Sequence, residues 1–469
     1  MLPSFLVCAV LLASSCIRYH PQPIQPAKIL ADYEARRLDS AELKNYLLTK
    51  AVVKDWPPRT WDFGSLTLAA FYYSPDLDIA RAQWSVSRAG RVTAGERPNP
   101  AISGILGYNR TTPVSEITPW IPEASLEIPV ETAGKRGYRI LEARHLSEAA
   151  RLNILSAAWD VRGRLRQAFL NHYAAQEREA LLKKLEAFQE ESVRILDAQV
   201  QVGEAAAYQL AQARIALDNG RLAALDAVTA RTAARTGLAQ TIGLPTAALD
   251  GVPLAFDEFA SLTLKLPPNE IQRRALISRS DILGALSEYE AAQAALRVEI
   301  AKQYPDLVLG PDYQLDQTDV KWTLGLSLIL PLLNRNKGPI AEAEARRAEV
   351  AARFLALQAS VLAELERASA AGRAAGDKAR AADEMLTELR RQEAAGQARY
   401  KAGEISKLEL LAIQLEVSSG ALARLEALVQ AQQAVGDLEK AIQAPLDIKA
   451  WVLETPARTA GRVKEHKDE

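Results

Sequence analysis

Two very long stretches without proline constrain this chain more than any other feature. One runs from about Tyr138 to Val202 and the other from about Ile340 to Ala402. As straight helices of about 65 residues, each would extend roughly 95 Å at 1.5 Å per residue. This exceeds the usual length of a globular helix and is typical of coiled coils. The chain is therefore predicted to be mainly α-helical and elongated.

Apolar residues recur at three-four spacing along and after these stretches, as expected for coiled-coil seams. The seam positions are Leu181, Leu185, Phe188, Ile195 and Val202 in the first half, and Leu408, Leu411, Leu415, Leu422, Leu425 and Val429 in the second. Gly203 and Gly403 end the long stretches and permit the positive φ of a tight reversal. We expect two antiparallel helical hairpins, over about 138–243 and 338–443, each with one arm longer than the other.

The sequence contains an internal duplication. The matched landmarks are Gly203–Glu204 with Gly403–Glu404, the segment from Pro129 (PVETAGKRGYRILEA) with that from Pro331 (PLLNRNKGPIAEAEA), and Asp76 with Asp281. Three landmarks in the same order indicate a tandem duplication. Residues 61–250 and 251–445 are predicted to form two repeats, each running helix, strand, strand, long helix, turn, helix.

Short segments of alternating polarity precede each long helix. Lys321–Pro331 and Glu123–Pro129 alternate apolar and polar residues, with Ile329 the one apolar residue on the polar side of its segment. Such alternation predicts strands with one apolar face. With partner segments at Ala101–Arg110 and Tyr304–Tyr313, the strand regions are about 98–132 and 303–333.

Four strands cannot close a membrane barrel by themselves. Open edges are prohibited in lipid, and the smallest membrane barrels have about eight strands. If these strands cross a membrane, several chains must share one barrel, and three copies would supply about twelve strands around a polar lumen. The alternative is a soluble four-stranded sheet with one buried face.

The N-terminus reads as a secretory signal. Residues 1–16 contain a short apolar run followed by small residues and Cys16, which resembles a bacterial lipobox with Cys16 as the lipidated residue. The alternative is a plain signal peptide with an incidental cysteine. Residues 17–60 are predicted to be an extended segment because three prolines, Pro21, Pro23 and Pro26, open it. Residues 446–469 form a charged tail.

Composition excludes several classes of function. The 57 Lys and Arg residues balance 58 Asp and Glu, which argues against a nucleic-acid partner. The two cysteines are both N-terminal, and the four histidines and two methionines are scattered, so no metal site or cofactor is expected. The chain has no P-loop, dinucleotide fingerprint or nucleophile elbow, and we predict that it is not an enzyme.

These landmarks resemble the TolC family of outer-membrane efflux proteins, over about residues 60–445. The stretch 304–347 (YPDLVLGPDYQLDQTDVKWTLGLSLILPLLNRNKGPIAEAEARR) is the most specific, and is closest in style to outer-membrane components of cobalt-zinc-cadmium-type efflux systems. The resemblance implies a homotrimer with a twelve-stranded β-barrel in the outer membrane and an α-helical tunnel across the periplasm. It also implies a passive conduit that docks on a periplasmic adaptor protein, itself joined to an inner-membrane efflux transporter.

The resemblance also implies site residues. The hairpin tips would contact the adaptor: Val202, Gly203, Glu204 and Ala205 in the first repeat, and Ala402, Gly403, Glu404, Ile405 and Ser406 in the second. Glu409 stands where the family often has a lumen-facing acid, which would form a ring of three carboxylates that favours cations. A lone glutamate on a helix is otherwise a solvated surface residue.

Two other functions remain open at this point. A periplasmic coiled-coil adaptor or scaffold lipoprotein would share the signal, the anchor and a helical hairpin, although adaptors usually have one hairpin. A type I protein secretion channel would share the whole architecture. The cargo is also open, because metal ions, drugs and secreted proteins can all use such a channel.

Overall fold

The computed structural model describes residues 19–49, 56–110, 118–261, 277–317 and 319–446. The helices are α1 (Pro26–Glu34), α2 (Ala41–Thr49), α3 (Phe63–Tyr73), α4 (Pro75–Gly95), α5 (Lys135–Gln201), α6 (Ala207–Ile242), α7 (Asp257–Ala260), α8 (Ser280–Ala301), α9 (Lys337–Lys401) and α10 (Lys407–Ile442). The strands are β1 (Ala101–Tyr108), β2 (Trp120–Val130), β3 (Leu307–Asp316) and β4 (Asp319–Leu328). Most of the described chain is therefore helical, as predicted.

The two halves have the same order of elements. α4, β1, β2, α5 and α6 in the first half correspond to α8, β3, β4, α9 and α10 in the second. The long arms α5 and α9 have 67 and 65 residues, and the short arms α6 and α10 have 36 residues each. The predicted hairpins with unequal arms are confirmed. The short arms begin and end 200 positions apart, at Ala207 and Lys407 and at Ile242 and Ile442.

The four strands form one antiparallel sheet in the order β1-β2-β3-β4. Within the hairpins, Tyr108 lies opposite Trp120 and Tyr313 lies opposite Trp322, with ring centroids 4.9 and 4.8 Å apart. Strands β2 and β3 join the two repeats. Within the described ranges, the outer edges of β1 and β4 have no partner strand, so the described sheet has two open edges.

The largest core lies at the base of the hairpins. Nine of the eleven residues of α3 are buried, and its Phe63 packs on Phe169 of α5 and on Phe259 of α7. Phe169 and Phe259 have no exposed surface. Apolar burial of this extent anchors α3 on α5 and α6 of the first repeat.

The N-terminal segment is not extended as predicted. Pro26 is the first residue of α1, and α2 follows within the same stretch. Proline is favoured at the first position of a helix because its fixed φ suits the helix and its missing N–H would be unpaired there. The segment then packs on the base of α6, where Tyr33 Oη donates to the Leu244 carbonyl at 2.9 Å and Arg36 Nη1 donates to the Gly243 carbonyl at 2.9 Å.

The repeats pack on each other through their helices. α10 lies against both α9 and α5, and α8 lies against both α5 and α9. α5 and α10 run antiparallel, because Arg162 donates to Glu439 at 2.7 Å while Arg178, further along α5, donates to Glu426 at 3.1 Å. Both hairpin tips therefore point away from the sheet, at the same end of the molecule.

Candidate functional site

The two hairpin tips share one backbone conformation. At the first tip, Gly203 has a φ of +80°, its N–H donates to the Val200 carbonyl at 3.1 Å, and the Glu204 N–H donates to the Gln199 carbonyl at 2.8 Å. This pair of bonds is a Schellman motif, which satisfies the last carbonyls of a helix. Each tip is therefore a defined turn rather than a loose loop.

The second tip repeats the motif 200 positions later. Gly403 has a φ of +78° and donates to the Tyr400 carbonyl at 3.0 Å, and the Glu404 N–H donates to the Arg399 carbonyl at 2.9 Å. The predicted role of both glycines in the reversals is confirmed. A Cβ at either glycine would meet no atom within 4 Å, so the positive φ alone selects glycine here.

The residues predicted to dock an adaptor are brought together at each tip. Ala205 and Ile405 are half-buried, and the other seven are exposed: Val202, Gly203, Glu204, Ala402, Gly403, Glu404 and Ser406. Val202 has 71% of its surface exposed. Its side chain and Ile195 contribute an apolar strip to a shallow groove on α5 that continues to Glu204. The tips thus offer small turns, exposed carboxylates and limited apolar surface.

The tips differ where the return helix begins. At the second tip Ser406 caps α10: its Oγ accepts from the Glu409 N–H at 3.2 Å, and Glu409 Oε2 accepts from the Ser406 N–H at 2.7 Å. These reciprocal bonds form a capping box. At the first tip Ala206 occupies the cap, and only the return bond is made, from the Ala206 N–H to Gln209 Oε1 at 3.2 Å. The α6 start therefore lacks a side-chain cap.

Charged side chains further fasten the second tip. Arg399 lies 3.4 Å from the Glu404 carboxylate, and Lys407 Nζ lies 5.5 Å from the centre of the Tyr400 ring. Arg399 and Lys401 also place positive charge in the last turn of α9, where the helix dipole favours it. The last turn of α5 has no basic residue.

Glu409, the predicted gate residue, is an exposed member of the capping box. The bonds from the Ser406 backbone N–H and hydroxyl, together with the charge of Arg399, lower the pKa of this carboxyl below its usual value. The carboxylate thus has a local structural role at the start of α10. The gate assignment stays a prediction, and Cys16, the predicted lipidation site, lies outside the described residues.

Sequence reasoning missed a buried charged cluster that joins the repeats. Glu439 of α10 accepts from Arg162 of α5 at 2.7 Å, and Arg166 donates to the Gln432 side-chain carbonyl at 2.9 Å. All four residues are at most 8% exposed. Burial lowers the pKa of Arg166. The one sequence signal was a pair of arginines four residues apart on the apolar side of a helix, which does not identify a partner.

The described residues show neither a metal-binding cluster nor a membrane-spanning helix. No group of three or more His, Cys, Asp or Glu side chains in the described ranges could hold a metal ion. None of the described helices is both long and apolar enough to cross a bilayer.

Known proteins share this architecture. The chain is 23% identical over 270 residues to the cobalt-zinc-cadmium resistance protein CzcC of Cupriavidus metallidurans, a match that covers 57% of this chain and 62% of that relative. The outer membrane protein VceC of Vibrio cholerae superposes with a TM-score of 0.66 at 17% identity, over 82% of this chain and 97% of VceC.

The open state of the MtrE outer membrane channel of Neisseria gonorrhoeae superposes with a TM-score of 0.65 at 18% identity, over 82% of this chain and 89% of MtrE. At these identities the superpositions establish the fold. The model of the family "Outer membrane efflux protein" matches residues 70–244 and 271–443, which is most of the chain and both repeats. The chain therefore belongs to the outer membrane efflux protein family.

Proposed function

We propose that three copies of this chain form the outer-membrane channel of a tripartite efflux system. The channel is a passive conduit, and its substrates are delivered by an inner-membrane pump through a periplasmic adaptor. Family membership supports this proposal, because the family is one of channels rather than enzymes. One observation supports the assembly. The surfaces through which the two repeats contact each other have equivalents, 200 or so positions away, that lie exposed on the outside of the chain.

The helices show this most clearly. Leu408, Leu415, Leu422 and Leu425 of α10 are half-buried or buried, and Leu422 and Leu425 pack on apolar side chains of the first repeat. The residues 200 positions earlier on α6 are Tyr208, Ile215, Leu222 and Leu225, and 62–65% of the surface of each is exposed. An exposed apolar row of this kind marks an interface. A second copy would cover it with α9, just as α5 covers α10 within the chain.

The sheet shows the same incompleteness. β2 pairs with β3 across the repeats, and the corresponding contact for the outer edges is β4 of one copy with β1 of the next. Contacts of this head-to-tail kind close into a ring when the rotation is right. Three copies give twelve strands, enough for a closed barrel with a polar lumen.

The assembly is tested by a charge placed in the exposed row. Ile215→Asp should abolish the trimer in detergent, as measured by light scattering, while leaving the helical circular dichroism of the monomer intact. Ala216→Asp is the matched control, because the exposed residue 216 lies about 100° around the helix from Ile215. A wild-type protein that is a water-soluble monomer without pore activity in planar bilayers would refute the channel.

We propose that the tips dock the adaptor. Their support is that the predicted residues lie at the end of the molecule opposite the sheet and are mostly exposed. Cysteine crosslinking in cells from Ser406→Cys should give an adduct with the adaptor, and Asn219→Cys, on the shaft of α6, should not. Absence of any adduct from Ser406 would count against this assignment.

The gate proposal needs a variant that separates charge from capping. Glu409→Gln retains a side-chain oxygen for the Ser406 N–H and removes the charge, whereas Glu409→Ala removes both. If Glu409 forms a cation-favouring ring, Glu409→Gln should lower cation selectivity in single-channel recordings. Unchanged selectivity would leave Glu409 with its capping role alone.

The cargo and the anchor are proposed on narrower grounds. The name of the relative CzcC supports export of cobalt, zinc or cadmium ions by this channel, and deletion should then lower tolerance to these metals. Drug and protein cargo are the alternatives in the same tolerance and secretion assays.

Cys16 is proposed to be acylated and to hold the N-terminus in the outer membrane, so Cys16→Ser should abolish incorporation of labelled palmitate.

A further inference from the structure

The internal duplication allows the strand register between copies to be worked out. Pro100 and Tyr108 correspond to Pro305 and Tyr313, 205 positions later, and Tyr108 and Tyr313 each pack against a tryptophan of the next strand. That tryptophan is Trp120 in β2 and Trp322 in β4, 202 positions apart. β1 is therefore the counterpart of β3, and β2 the counterpart of β4, with known offsets.

The observed pairing of β2 with β3 can be translated with these offsets. Within the chain Ala124 lies opposite Tyr313. Adding 202 to the first number and subtracting 205 from the second places Leu326 opposite Tyr108 of the next copy. Counting along an antiparallel pair then places Leu328 opposite Leu106 and Ile329 opposite Ile105.

We propose that β4 of one copy pairs with β1 of the next in this register, with Ile329 packed on Ile105. The inference rests on the proposed trimeric channel and specifies its closing seam. Its occupant is a second copy of this chain, because the edge and its complement are both present in one molecule.

Two apolar exceptions support this register independently of the offsets. Ile105 shares the polar face of β1 with Ser103, and Ile329 continues the polar side of β4 beyond Ser327. Ile105 is 58% exposed and Ile329 is 84% exposed. In the proposed register each covers the other. A shift of two residues would place Ile329 opposite Ser103 or Gly107 instead.

The register also accounts for where β4 ends. β2 continues to Val130, which pairs with Leu307 of β3, whereas β4 ends at Leu328, four positions before 332, the counterpart of Val130. The next residues, Ile329, Leu330, Leu332 and Leu333, are 58–102% exposed. Pairing with the neighbouring β1 would extend β4 by about four residues and place Leu330 and Leu332 on the apolar face, beside Gly104 and Ile102.

Cysteine crosslinking of the full-length chain tests the register. Opposed residues on neighbouring strands have Cβ atoms about 4.5–5.5 Å apart, so oxidised Ile105→Cys/Ile329→Cys should form a covalent trimer on non-reducing gels. In the control pair Ala101→Cys/Ile329→Cys, the cysteines share the same face but are offset by four residues, or about 13 Å, and should crosslink at least tenfold less. The three single variants, Ala101→Cys, Ile105→Cys and Ile329→Cys, correct for crosslinks to native Cys8 and Cys16.

The mass of the unoxidised variants in detergent separates the two proposals. A trimer that crosslinks equally well from residue 101, or that fails to crosslink from residue 105, overturns the register and leaves the channel standing. A wild-type chain that does not form trimers overturns both. If the cysteine variants do not assemble, Ile105→Glu and Ile329→Lys provide a second test: each alone should weaken the trimer, and the double variant should restore it.

Discussion

α6 and α10 have the same length and lie 200 positions apart, yet their surroundings differ. The apolar row of α10 is half-buried or buried, with Leu422 and Leu425 packed on the first repeat, and the corresponding row of α6 is exposed. The difference shows that a duplication copies local structure but not environment. One copy of a repeated unit finds its partner within the chain, and the other must find it in a neighbouring molecule.

The tips extend this comparison to shorter range. Both reverse through the same Schellman motif at Gly203 and Gly403, but only the second has a complete capping box, in which Ser406 and Glu409 bond to each other. We infer that the first turn of α6 opens more readily than that of α10, because Ala206 offers no side-chain cap.

The junction between the repeats should give the largest effect. Glu439→Gln removes the carboxylate that pairs with buried Arg162 at 2.7 Å and lies 3.9 Å from buried Arg166, which should destabilise the protein by about 3–5 kcal/mol. Position 239, the counterpart in the first repeat, is a buried alanine, so the sensitivity is confined to the second repeat. Chemical denaturation of the purified protein measures the change.

Glu426→Gln is the control for the junction. Glu426 pairs with Arg178 on the surface of the same two helices, and both side chains are at least half exposed. Loss of this pair should cost about 0–1 kcal/mol. Equal effects of the two substitutions would show that the buried cluster does not hold the repeats together.

Alanine substitution of either turn glycine should lower the stability of the protein by a similar amount. Gly203→Ala and Gly403→Ala each force a side chain into a positive φ, which costs about 1–2 kcal/mol. Gly237→Ala, inside α6 with open space around its Cβ, should instead stabilise by up to about 1 kcal/mol. Unequal losses at the two turns, measured by thermal unfolding, would contradict their equivalence.

Substitutions at the two N-caps should change the stability of the first helical turns in opposite directions. Ser406→Ala removes the cap of α10 and should destabilise its first turn by about 1 kcal/mol, and Ala206→Ser should stabilise the first turn of α6 by a similar amount. Hydrogen exchange of the tip amides resolves these local changes. If exchange at the first tip is already as slow as at the second, the proposed difference between the tips is wrong.

The smallest effect concerns pH. Hydrogen bonds from Ser406 lower the pKa of Glu409 in the folded state. The ionised carboxylate therefore stabilises the second tip above the ordinary glutamate pKa, and this stabilisation is lost as the pH falls through the lower pKa of the folded state. Exchange at the second tip should therefore increase below about pH 4 relative to the first tip. Glu409→Gln should remove this extra dependence.

Much of the fold could be predicted because its signals are local. The hairpins, their turns at Gly203 and Gly403, and the alternating strands depend on residues within a few positions of one another. The N-terminal segment was mispredicted because three prolines outweighed the helix-forming residues after Pro26. Its helices pack on the base of α6, more than 200 positions away, and no local pattern reports such a contact.

The sequence by itself determined the long helices and the strands of the two repeats, where the long helices reverse, and that the unit is repeated. The tertiary structure decided which repeat covers which: that β2 pairs with β3, that Glu439 meets Arg162, and that α10 is sheltered while α6 is not. The reason is physical. Periodicity and turn chemistry act over neighbouring residues, whereas partner choice depends on how complete surfaces fit once both repeats have folded.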